Sequence, residues 1–471
     1  MKKIYIICGG TMQHVSPHFS LCAPAYGNVG YDIYCAMKSH IDSDVNNEYS
    51  VKLIPTKMAL GIMNNDNFDD AFNVMNHFGF DFIETNEDLS KFVDALIKDS
   101  ETRCIIMAAA VCDFEPSVLS TIIDDGIIQN PVFKFGKDQK RLDSNNHYSL
   151  DLKPAEKIVH KIREKRKDIF VVSFKTTAGV WRDETYKRGL LALKKNSSNL
   201  VFANDIRDKV NMVITPEEFP YEGQTRSEAI AILADMTLKR LNLTFGDKTI
   251  LKDDSRAFPE VLAMGGFIPK NWYEVMKHLF ANKAFKPLPG TGKTSGHFGC
   301  RVVGKEYERI TSERKINHNE SFQRGMIPVY SYKNGELIVG GAKPSVGEKT
   351  QELIYQELGD KIHAIVHFHC PMREDLQDKN LIPIREQFPY ECGSNECSLN
   401  STSGILESVE KFKNIIEPGI YAVHLKNHGP NIAFHKDVPV EKIIEFINKY
   451  WNLNDKTGGV IKEDDAILSH M

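Results

Sequence analysis

The stretch Lys3-Ile-Tyr-Ile-Ile-Cys-Gly-Gly-Thr11 is an apolar run that stops abruptly at two glycines. A short apolar run bounded by glycine is typical of a strand that is buried on both faces of a parallel sheet. The alternative is a signal peptide, but the run is too short for the apolar region of one, and no small-residue cleavage site follows it. We therefore predict that the chain begins with a buried strand over Ile4–Cys8.

Four more runs of the same kind follow, and helical patterns separate them. The predicted strands are Ser50–Ile54, Cys104–Ala108, Phe170–Phe174 and Leu200–Ala203, and two of the predicted helices are Lys91–Lys98 and Ala155–Lys165. Alternation of apolar strands with amphipathic helices is typical of a Rossmann-like, doubly wound parallel α/β sheet. We assign this predicted domain to residues 1–245.

Small and polar residues follow the predicted strands, at the carboxyl ends where such sheets bind their ligands. They are Gly9-Gly-Thr11, Ala109-Ala-Val-Cys-Asp113 and Asn204-Asp205. Gly27-Asn-Val-Gly30 then opens a predicted helix over Tyr31–Lys38, whose N-terminal amides can hold a phosphate. Each motif alone is equally compatible with an ordinary turn or helix cap, and no intact Gly-x-Gly-x-x-Gly motif is present.

Taken in order, these motifs resemble phosphopantothenoylcysteine synthetase, the phosphopantothenate–cysteine ligase family of coenzyme A synthesis. The resemblance covers about the first half of the chain, with matches at Cys8-Gly-Gly-Thr11, Gly27-Asn-Val-Gly30, Met107-Ala-Ala-Ala-Val-Cys-Asp113, Val171-Val-Ser-Phe-Lys-Thr176 and Leu200-Val-Phe-Ala-Asn-Asp205. That family activates the carboxylate of 4′-phosphopantothenate with CTP or ATP, releases pyrophosphate and couples the acyl nucleotide to cysteine. The nucleotide-binding residues that the resemblance implies are Gly9, Gly10, Thr11, Ala109, Asp113, Lys137, Lys140, Phe174, Asn204 and Asp205.

Lys137 or Lys140 would offset negative charge on the transferring phosphates, since a fixed cation stabilises such charge. The alternative is a solvated loop, because the surrounding segment is basic and polar. The chain departs from the family where Leu21-Cys-Ala23 replaces an Ile-Ser-Asn run, whose asparagine holds the acyl nucleotide, and where Pro17-His-Phe19 replaces an arginine. Loss of such a donor costs about 1–3 kcal/mol. The departures favour an altered substrate or a nucleotide-binding or regulatory module without ligase chemistry. We expect no flavin, because the decarboxylase that often accompanies this synthetase has no counterpart here.

The second half of the chain carries His367-Phe-His369 in the apolar run Ala364–His369, with His428 further on and Glu348 upstream. A strand places alternate side chains on one face, so a strand over this run allows His367 and His369 to reach one ion. Three imidazoles and one carboxylate suit zinc or another divalent transition metal. The alternative for the histidine pair alone is a pair of ordinary satisfied polar residues.

With Asn427-His-Gly429 after an apolar strand and Pro344-Ser345 before Glu348, this set resembles the class II aldolase/adducin family, at spacings similar to those of fuculose-phosphate aldolase. The resemblance implies a mostly antiparallel α/β domain over residues 290–471, a phosphorylated substrate and a homo-oligomer. It also implies zinc on His367, His369 and His428, Glu348 as catalytic acid or base, and a substrate-phosphate site at Thr294, Ser295, Gly296 and Ser345, next to a His297 that replaces the family's asparagine. The family's reactions include cleavage, epimerisation, dehydration and decarboxylation, so the motif does not name the reaction. An adducin-like interaction module is the non-enzymatic alternative.

The composition describes a soluble, cytoplasmic protein of more than one domain. The chain has 471 residues, 42% hydrophobic content and a formal net charge of −4, so it has no basic excess to favour nucleic acid. No run reaches the ~18 apolar residues of a membrane span. Nine cysteines without a Cys-x-x-Cys pair indicate a reducing compartment.

A connector over residues 246–289, with one helix at Asn271–Phe280, is predicted between the two domains. Pro289-Gly-Thr-Gly-Lys-Thr294 looks like a Walker A loop, but Pro287 stands where glycine is required and no apolar strand precedes it, so we reject that interpretation. The sequence as a whole predicts a ligase-like domain fused to a metal-dependent lyase or epimerase. The alternative keeps the metal-dependent domain as the single catalytic centre.

Overall fold

The computed structural model divides the chain into two compact units. Unit 1 comprises Met1–Thr215 and Pro220–Leu241, and unit 2 comprises Pro216–Phe219 and Asn242–Met471. The structure describes residues 1–43, 48–62, 65–122, 128–129, 136–137, 141–145, 147–244, 248–285, 295–313, 322–387, 390, 393–426 and 428–454. Lys140, Thr294 and the rejected Walker A stretch at 289–294 lie outside the described residues. No helix in the described part is long and apolar enough to cross a membrane.

Unit 1 is built around a seven-stranded sheet, counted over the described residues, in the order β12-β11-β10-β9-β5-β1-β4. Its elements are β1 (Lys2–Gly10), β2 (Met12–Ser16), β3 (Phe19–Cys22), α1 (Asn28–Ser43), β4 (Tyr49–Pro55), α2 (Asn65–His77), α3 (Asn86–Lys98), β5 (Thr102–Ala110), β6 (Phe114–Ile122), β7 (Ile128–Gln129), β8 (His147–Pro154), α4 (Ile158–Lys165), β9 (Phe170–Thr177), α5 (Arg182–Asn196), β10 (Leu200–Asp205), β11 (Asn211–Ile214), β12 (Pro220–Glu222) and α6 (Arg226–Leu241). A short 3₁₀ helix, Lys57–Ile62, follows β4.

The five predicted strands are confirmed as β1, β4, β5, β9 and β10, and these five strands pair in parallel. Their apolar side chains are buried, as expected when helices cover both faces of a parallel sheet. The antiparallel strands β11 and β12 extend one edge of the sheet. The predicted helices over Tyr31–Lys38, Lys91–Lys98 and Ala155–Lys165 correspond to α1, α3 and α4.

Helix α3 shows how local sequence fixes an element of unit 1. Thr85 caps the helix by accepting from the Asp88 amide at 3.1 Å, and the Asp88 carboxylate accepts from the Thr85 amide at 2.9 Å. Such a capping box satisfies amides that the helix start leaves open, and an N-cap contributes about 1 kcal/mol. Leu89, Phe92 and Leu96 then recur at helical spacing and are fully buried against the sheet.

Unit 2 is built around a nine-stranded sheet, within the residues described, in the order β13-β17-β16-β15-β14-β18-β21-β20-β19. Its elements are β13 (Lys248–Leu251), α7 (Pro259–Met264), α8 (Lys270–Ala281), β14 (His297–Arg301), β15 (Arg309–Ser312), β16 (Met326–Lys333), β17 (Glu336–Val339), α9 (Glu348–Leu358), β18 (Ala364–His367), β19 (Ile384–Glu386), α10 (Asn395–Lys411), β20 (Ile420–Lys426), β21 (Gly429–Phe434) and α11 (Val440–Tyr450). The pairing is antiparallel except at the two edges, where β13 joins β17 and β19 joins β20 in parallel.

The segment expected to be a connector is part of unit 2 in the structure. It supplies an edge strand, β13, and two helices, α7 and α8, rather than one. Trp272, Val275 and Met276 of α8 are fully buried in the core of unit 2. Burial of this apolar stripe is the physical reason that the segment belongs to the unit and does not link two units as an open tether.

Candidate functional site

The carboxyl ends of β1, β5, β9 and β10 lie along one edge of the sheet in unit 1, because these strands are parallel. Gly9 and Gly10 end β1 beside Ala109 and Ala110 of β5. Close packing requires glycine at both places: a Cβ on Gly9 would lie 2.2 Å from the Thr56 hydroxyl oxygen, and a Cβ on Gly10 would lie 2.0 Å from the Ala23 carbonyl oxygen. Gly9 also has a φ of +100°, which disfavours other residues.

Thr11 is fully buried and ties together the loops at this edge. Its hydroxyl donates to the Asn86 side-chain oxygen at 2.5 Å and accepts from the Cys112 amide at 2.9 Å. The Ala23 amide donates to the Thr11 carbonyl at 3.0 Å. The Thr11 hydroxyl is therefore engaged within the protein, where it holds three loops in register.

Asp205 anchors the loops that follow β9 and β10. Its carboxylate accepts from the amides of Gly179, Val180, Arg207 and Asp208 at 2.8–3.1 Å, and from the Thr177 hydroxyl at 2.9 Å. Burial opposes ionisation, but these donors hold the pKa of Asp205 well below its usual range. The carboxylate is thus a fixed ionised anchor, and its oxygens are occupied by the protein's own donors.

The other residues predicted to bind a nucleotide lie on neighbouring strands or on adjoining loops. Phe174 stacks at an angle on Phe202, with ring centroids 5.6 Å apart, and the Asn204 side-chain oxygen accepts from Thr176 at 3.0 Å. Asp113 is exposed and pairs with Lys157 at 2.6 Å. Lys137 is paired with Glu84. The structure thus places Gly9, Gly10, Ala109, Asn204 and Asp205 at strand ends along one edge of the sheet, Phe174 three residues before the end of β9, and Lys137 and Asp113 in paired positions on loops.

Unit 2 brings His367, His369 and His428 together. One ring nitrogen from each lies within 4.8 Å of the others, and His367 Nε2 is 3.1 Å from His428 Nε2. The prediction of a strand through His369 is wrong, because β18 ends at His367. The chain leaves the sheet there, and the ring centroids of His369 and His428 lie 4.3 Å apart across the gap between β18 and the β20–β21 turn.

The turn between β20 and β21 has a backbone that only glycine fits. Gly429 has a φ of +152°, and a Cβ there would lie 2.1 Å from the Phe368 carbonyl oxygen. The absence of a side chain allows β21 to pass directly beside Phe368 and His369. His428, one residue earlier, is therefore delivered to the other two histidines.

The protonation of the histidine cluster suits a metal. His367 Nδ1 donates to the Pro430 carbonyl at 2.7 Å. The other ring nitrogen, Nε2, therefore carries the lone pair and faces His428. Burial, followed by the neighbouring imidazoles, holds the pKa of His367 well below its usual value, so the ring is neutral. Neutral imidazole is the metal-binding form. Tetrahedral zinc with Zn–N bonds of about 2.0–2.1 Å separates two ligand nitrogens by roughly 3.3 Å, close to the His367–His428 spacing.

Glu348 is not a member of this histidine group among the described residues. It is the first residue of α9, and Arg309 and Thr311 of β15 hold its carboxylate: Arg309 donates at 2.7 Å to one oxygen and Thr311 donates to the other. Arg309 also pairs with Glu352. Burial raises the pKa of Glu348, and Arg309 and Thr311 oppose that shift.

The predicted phosphate loop is packed against the histidines. Ser295 and Ser345 are buried, and Gly296 has a φ of +92° with space for no side chain beside the His367 carbonyl. His297 stacks on His367 with centroids 4.6 Å apart and accepts at Nδ1 from Gln351 at 3.0 Å. Burial lowers the pKa of His297 to about 3.

Sequence reasoning missed several side chains around these sites. In unit 2 they are Arg309, Gln351 and His424, the last of which accepts from the Trp451 indole at 3.2 Å. Alternation of Arg309 and Thr311 on a strand, opposite Glu348 and Glu352 one helical turn apart, is the signal in the sequence. The sequence pattern does not show that β15 packs against α9, because that contact belongs to the tertiary structure.

No protein-family model matches the chain. A curated relative, the coenzyme A biosynthesis bifunctional protein CoaBC of Thermococcus kodakarensis, is 21% identical over 206 residues, which are 44% of this chain and 42% of the relative. The N-terminal half resembles a coenzyme A biosynthesis protein. The chain spans less than half the length of this curated relative.

Solved structures with partial similarity cover about half of the chain. A DNA/pantothenate metabolism flavoprotein from Streptococcus pneumoniae has 21% identity and a TM-score of 0.38, over 51% of this chain and 99% of its own. The C-terminal domain of a coenzyme A biosynthesis bifunctional protein CoaBC has 17% identity and a TM-score of 0.33, over 50% and 95%. A Cab2 variant in complex with phosphopantothenate-cysteine has 14% identity and a TM-score of 0.33, over 50% and 88%.

Proposed function

We propose that the chain is a bifunctional enzyme. Unit 1 is a nucleotide-dependent carboxylate–amine ligase of the phosphopantothenate–cysteine type that uses CTP or ATP. Unit 2 is a zinc-dependent, class II aldolase-like lyase or epimerase for a phosphorylated substrate. The similarity to a coenzyme A biosynthesis protein over 206 residues carries the first part of the proposal. The cluster of three histidines, in which His367 is buried and His369 and His428 are half-buried, carries the second.

The edge of the sheet in unit 1 supports nucleotide binding by its position. Gly9 and Gly10 end β1 with their backbone packed closely against Thr56 and Ala23, and the small Ala109 lies beside Gly9. Parallel α/β sheets bind their ligands at this edge. Phe174 and Asn204 offer an aromatic face and a side-chain amide next to this surface. An adenine or cytosine ring and a phosphate require groups of these kinds.

In unit 2, His367, His369 and His428 would hold the ion and leave a coordination position open for substrate oxygen. A divalent metal in such a site stabilises negative charge that develops on substrate oxygen. Glu348 is the residue that we propose as acid or base. Its carboxylate lies against Arg309 and Thr311, so proton transfer requires it to exchange one of these partners for substrate or water.

The alternative function is a metal-dependent unit 2 with a unit 1 that only binds a nucleotide. Two observations favour it: Ala23 stands where the ligase family has its asparagine, and the Asp205 carboxylate is fully occupied by internal donors. Binding without turnover in unit 1 separates this alternative from the ligase.

The deciding experiment measures pyrophosphate release by the full chain with CTP or ATP, 4′-phosphopantothenate and cysteine, with the coupled product identified by mass. Release that depends on cysteine and gives the coupled product supports the ligase. Absence of release with both nucleotides, in folded protein that still binds one of them, favours the alternative.

A pair of variants sharpens this measurement. Ala23→Asn restores the missing side-chain amide at a half-buried position, and Ala25→Asn adds the same group two residues further on at another half-buried position. If phosphopantothenate is the substrate, Ala23→Asn raises turnover by about tenfold, as one added hydrogen bond of ~1.4 kcal/mol would do. Ala25→Asn leaves turnover unchanged.

A further inference from the structure

Three basic side chains surround the carboxylate of Glu84 in unit 1. Lys57 approaches one oxygen at 3.2 Å, Lys137 contacts the other oxygen, and His14 Nε2 lies 3.7 Å away. The four residues come from separate segments: β2, the 3₁₀ helix after β4, the turn before α3 and the loop at 136–137. Neighbouring residues along the chain do not account for the cluster, so the fold assembles it.

His14 indicates that this cluster is a site for an anion and not only a surface ion pair. Its side chain is nine-tenths buried, and its Nδ1 is bonded to the Ser20 hydroxyl at 2.7 Å. Nε2 is buried as well and has no hydrogen-bond partner within the described residues. A buried ring nitrogen without a partner costs free energy, and here it faces a carboxylate that stops just beyond hydrogen-bond distance.

The charges in the cluster favour a larger anion than a carboxylate. Burial alone would raise the pKa of Glu84. Lys137 and Lys57 outweigh burial and hold that pKa below its usual value, so the carboxylate is ionised. Two lysines contact this one carboxylate, so the contacting groups carry one positive charge in excess. Asp88 adds a negative charge nearby, but its carboxylate accepts from the Glu84 and Thr85 amides at 3.2 and 2.9 Å and contacts neither lysine among the described residues.

The cluster adjoins the loops that we assign to nucleotide binding. The Met12 amide, directly after Thr11, donates to the Glu84 carbonyl at 3.0 Å, and the Lys57 amide donates to the Ile83 carbonyl at 2.8 Å. The Thr11 carbonyl in turn accepts from Ala23. The basic side chains are therefore next to the segment where the expected arginine and asparagine are replaced.

We propose that Glu84 is an internal occupant of an anion-binding site formed by His14, Lys57 and Lys137, and that a phosphate group of a small-molecule ligand displaces it. A phosphate offers three oxygens and up to two negative charges, enough to engage both lysines and the buried His14 nitrogen at once. The choice of ligand rests on the proposed function of unit 1. The site itself requires binding only, not turnover.

The test titrates the full chain with inorganic pyrophosphate by calorimetry. Glu84→Gln removes the internal competitor and tightens binding by about tenfold. Glu87→Gln is the matched control, because Glu87 is also an acid at the start of α3 but is exposed and pairs only with Lys91 at 2.7 Å among the described residues. The control keeps the wild-type affinity. Equal affinities for the wild type, Glu84→Gln and Glu87→Gln would overturn the proposal.

A double variant shows where the gain arises. Lys57→Met added to Glu84→Gln abolishes the gain if pyrophosphate lies among these side chains, whereas a gain that persists in the double variant contradicts the site. Lys57 is half exposed and Glu84→Gln keeps the shape of the side chain, so we expect both variants to fold, and thermal melts check this. Repetition with CTP and with 4′-phosphopantothenate identifies the ligand whose phosphate follows the pyrophosphate pattern. If Glu84→Gln binds pyrophosphate more tightly but the chain shows no ligase turnover, the anion-binding site is supported and only the proposed ligase reaction is contradicted.

Discussion

His367 is the residue on which the metal proposal depends most directly. Its Nδ1 is engaged by the Pro430 carbonyl, so its Nε2 is the nitrogen left for an ion. We expect the wild type to bind about one zinc per chain. His367→Ala and His428→Ala lower zinc affinity by more than the 10–100-fold that changes outside the ligand shell cause. Metal content after dialysis, measured by mass spectrometry, checks this.

His435→Ala is the control for that measurement. His435 lies just after the far end of β21, against His363, with ring centroids 4.4 Å apart. It is a partly exposed histidine of the same unit but not a member of the three-histidine group. Its replacement leaves zinc content at the wild-type level. Loss of zinc in all three variants would point to a general effect of unfolding.

Arg309 is a second residue with a sharp expectation. It is buried between Glu348 and Glu352, and its removal leaves two buried carboxylates without their cation. We expect Arg309→Met to lower the free energy of unfolding by about 3–5 kcal/mol at neutral pH. Arg385→Met, which breaks the more exposed pair with Glu407, costs less than about 1 kcal/mol.

The pH dependence of Arg309→Met has a defined sign. Burial already raises the pKa of Glu348 in the folded protein, and loss of Arg309 raises it further. A carboxyl whose folded pKa is raised stabilises the fold fully below its unfolded pKa and loses that contribution as pH rises through the folded pKa. Urea unfolding at pH 5 and pH 8 should therefore show a smaller deficit at pH 5. A deficit that grows as pH falls would contradict this account.

At the scale of elements, Gly429 decides how β21 meets β18. An alanine there would place its Cβ 2.1 Å from the Phe368 carbonyl, and backbone cannot move aside cheaply. We expect Gly429→Ala to displace the β20–β21 turn, to separate His428 from His367 and to lower both zinc affinity and melting temperature. Gly266→Ala is the control, because Gly266 also has a positive φ but has open space around it. It costs only the ~1–2 kcal/mol of the left-handed backbone and keeps zinc.

The sequence predicted the elements that carry their own pattern. The apolar runs at Ile4–Cys8 and Cys104–Ala108 indicated buried parallel strands, and the structure confirms both as β1 and β5. The run Ala364–His369 was misleading, because Phe368 is apolar and buried but lies outside the sheet. Composition records burial and does not record whether a residue pairs with a neighbouring strand. The edge strand β13 was missed because its side chains are mostly exposed and show no apolar alternation.

The histidine cluster could be predicted from the sequence, whereas the partners of Glu348 and the basic cluster at Glu84 could not. Histidine is a common metal ligand, so three candidate histidines can be recognised wherever they lie in the chain. In the structure these three lie close together. The partners of Glu348 and the basic cluster at Glu84 are residues of common type, drawn from segments far apart in sequence. Only the pairing of strands and loops brings them together, so their roles follow from tertiary structure.

At the scale of the whole molecule, the two units have separate sheets and separate cores. Each proposed site is made of residues from one unit. Changes at well-separated sites without shared partners are additive to within a few tenths of a kcal/mol, or about twofold in rate. The two proposed reactions should therefore be separable by single substitutions.

We expect His428→Ala to abolish zinc binding while pyrophosphate release by unit 1 stays within about twofold of the wild type. Asn204→Ala should do the reverse, because Asn204 is the second-last residue of β10, at the edge of unit 1 where we propose that the nucleotide binds, and it has no role in unit 2. Both assays are run on the full chain, with metal content and pyrophosphate release measured on the same preparation. If His428→Ala abolishes pyrophosphate release in folded protein, the two units share one chemistry, and the fusion is a single active enzyme with an obligatory metal step.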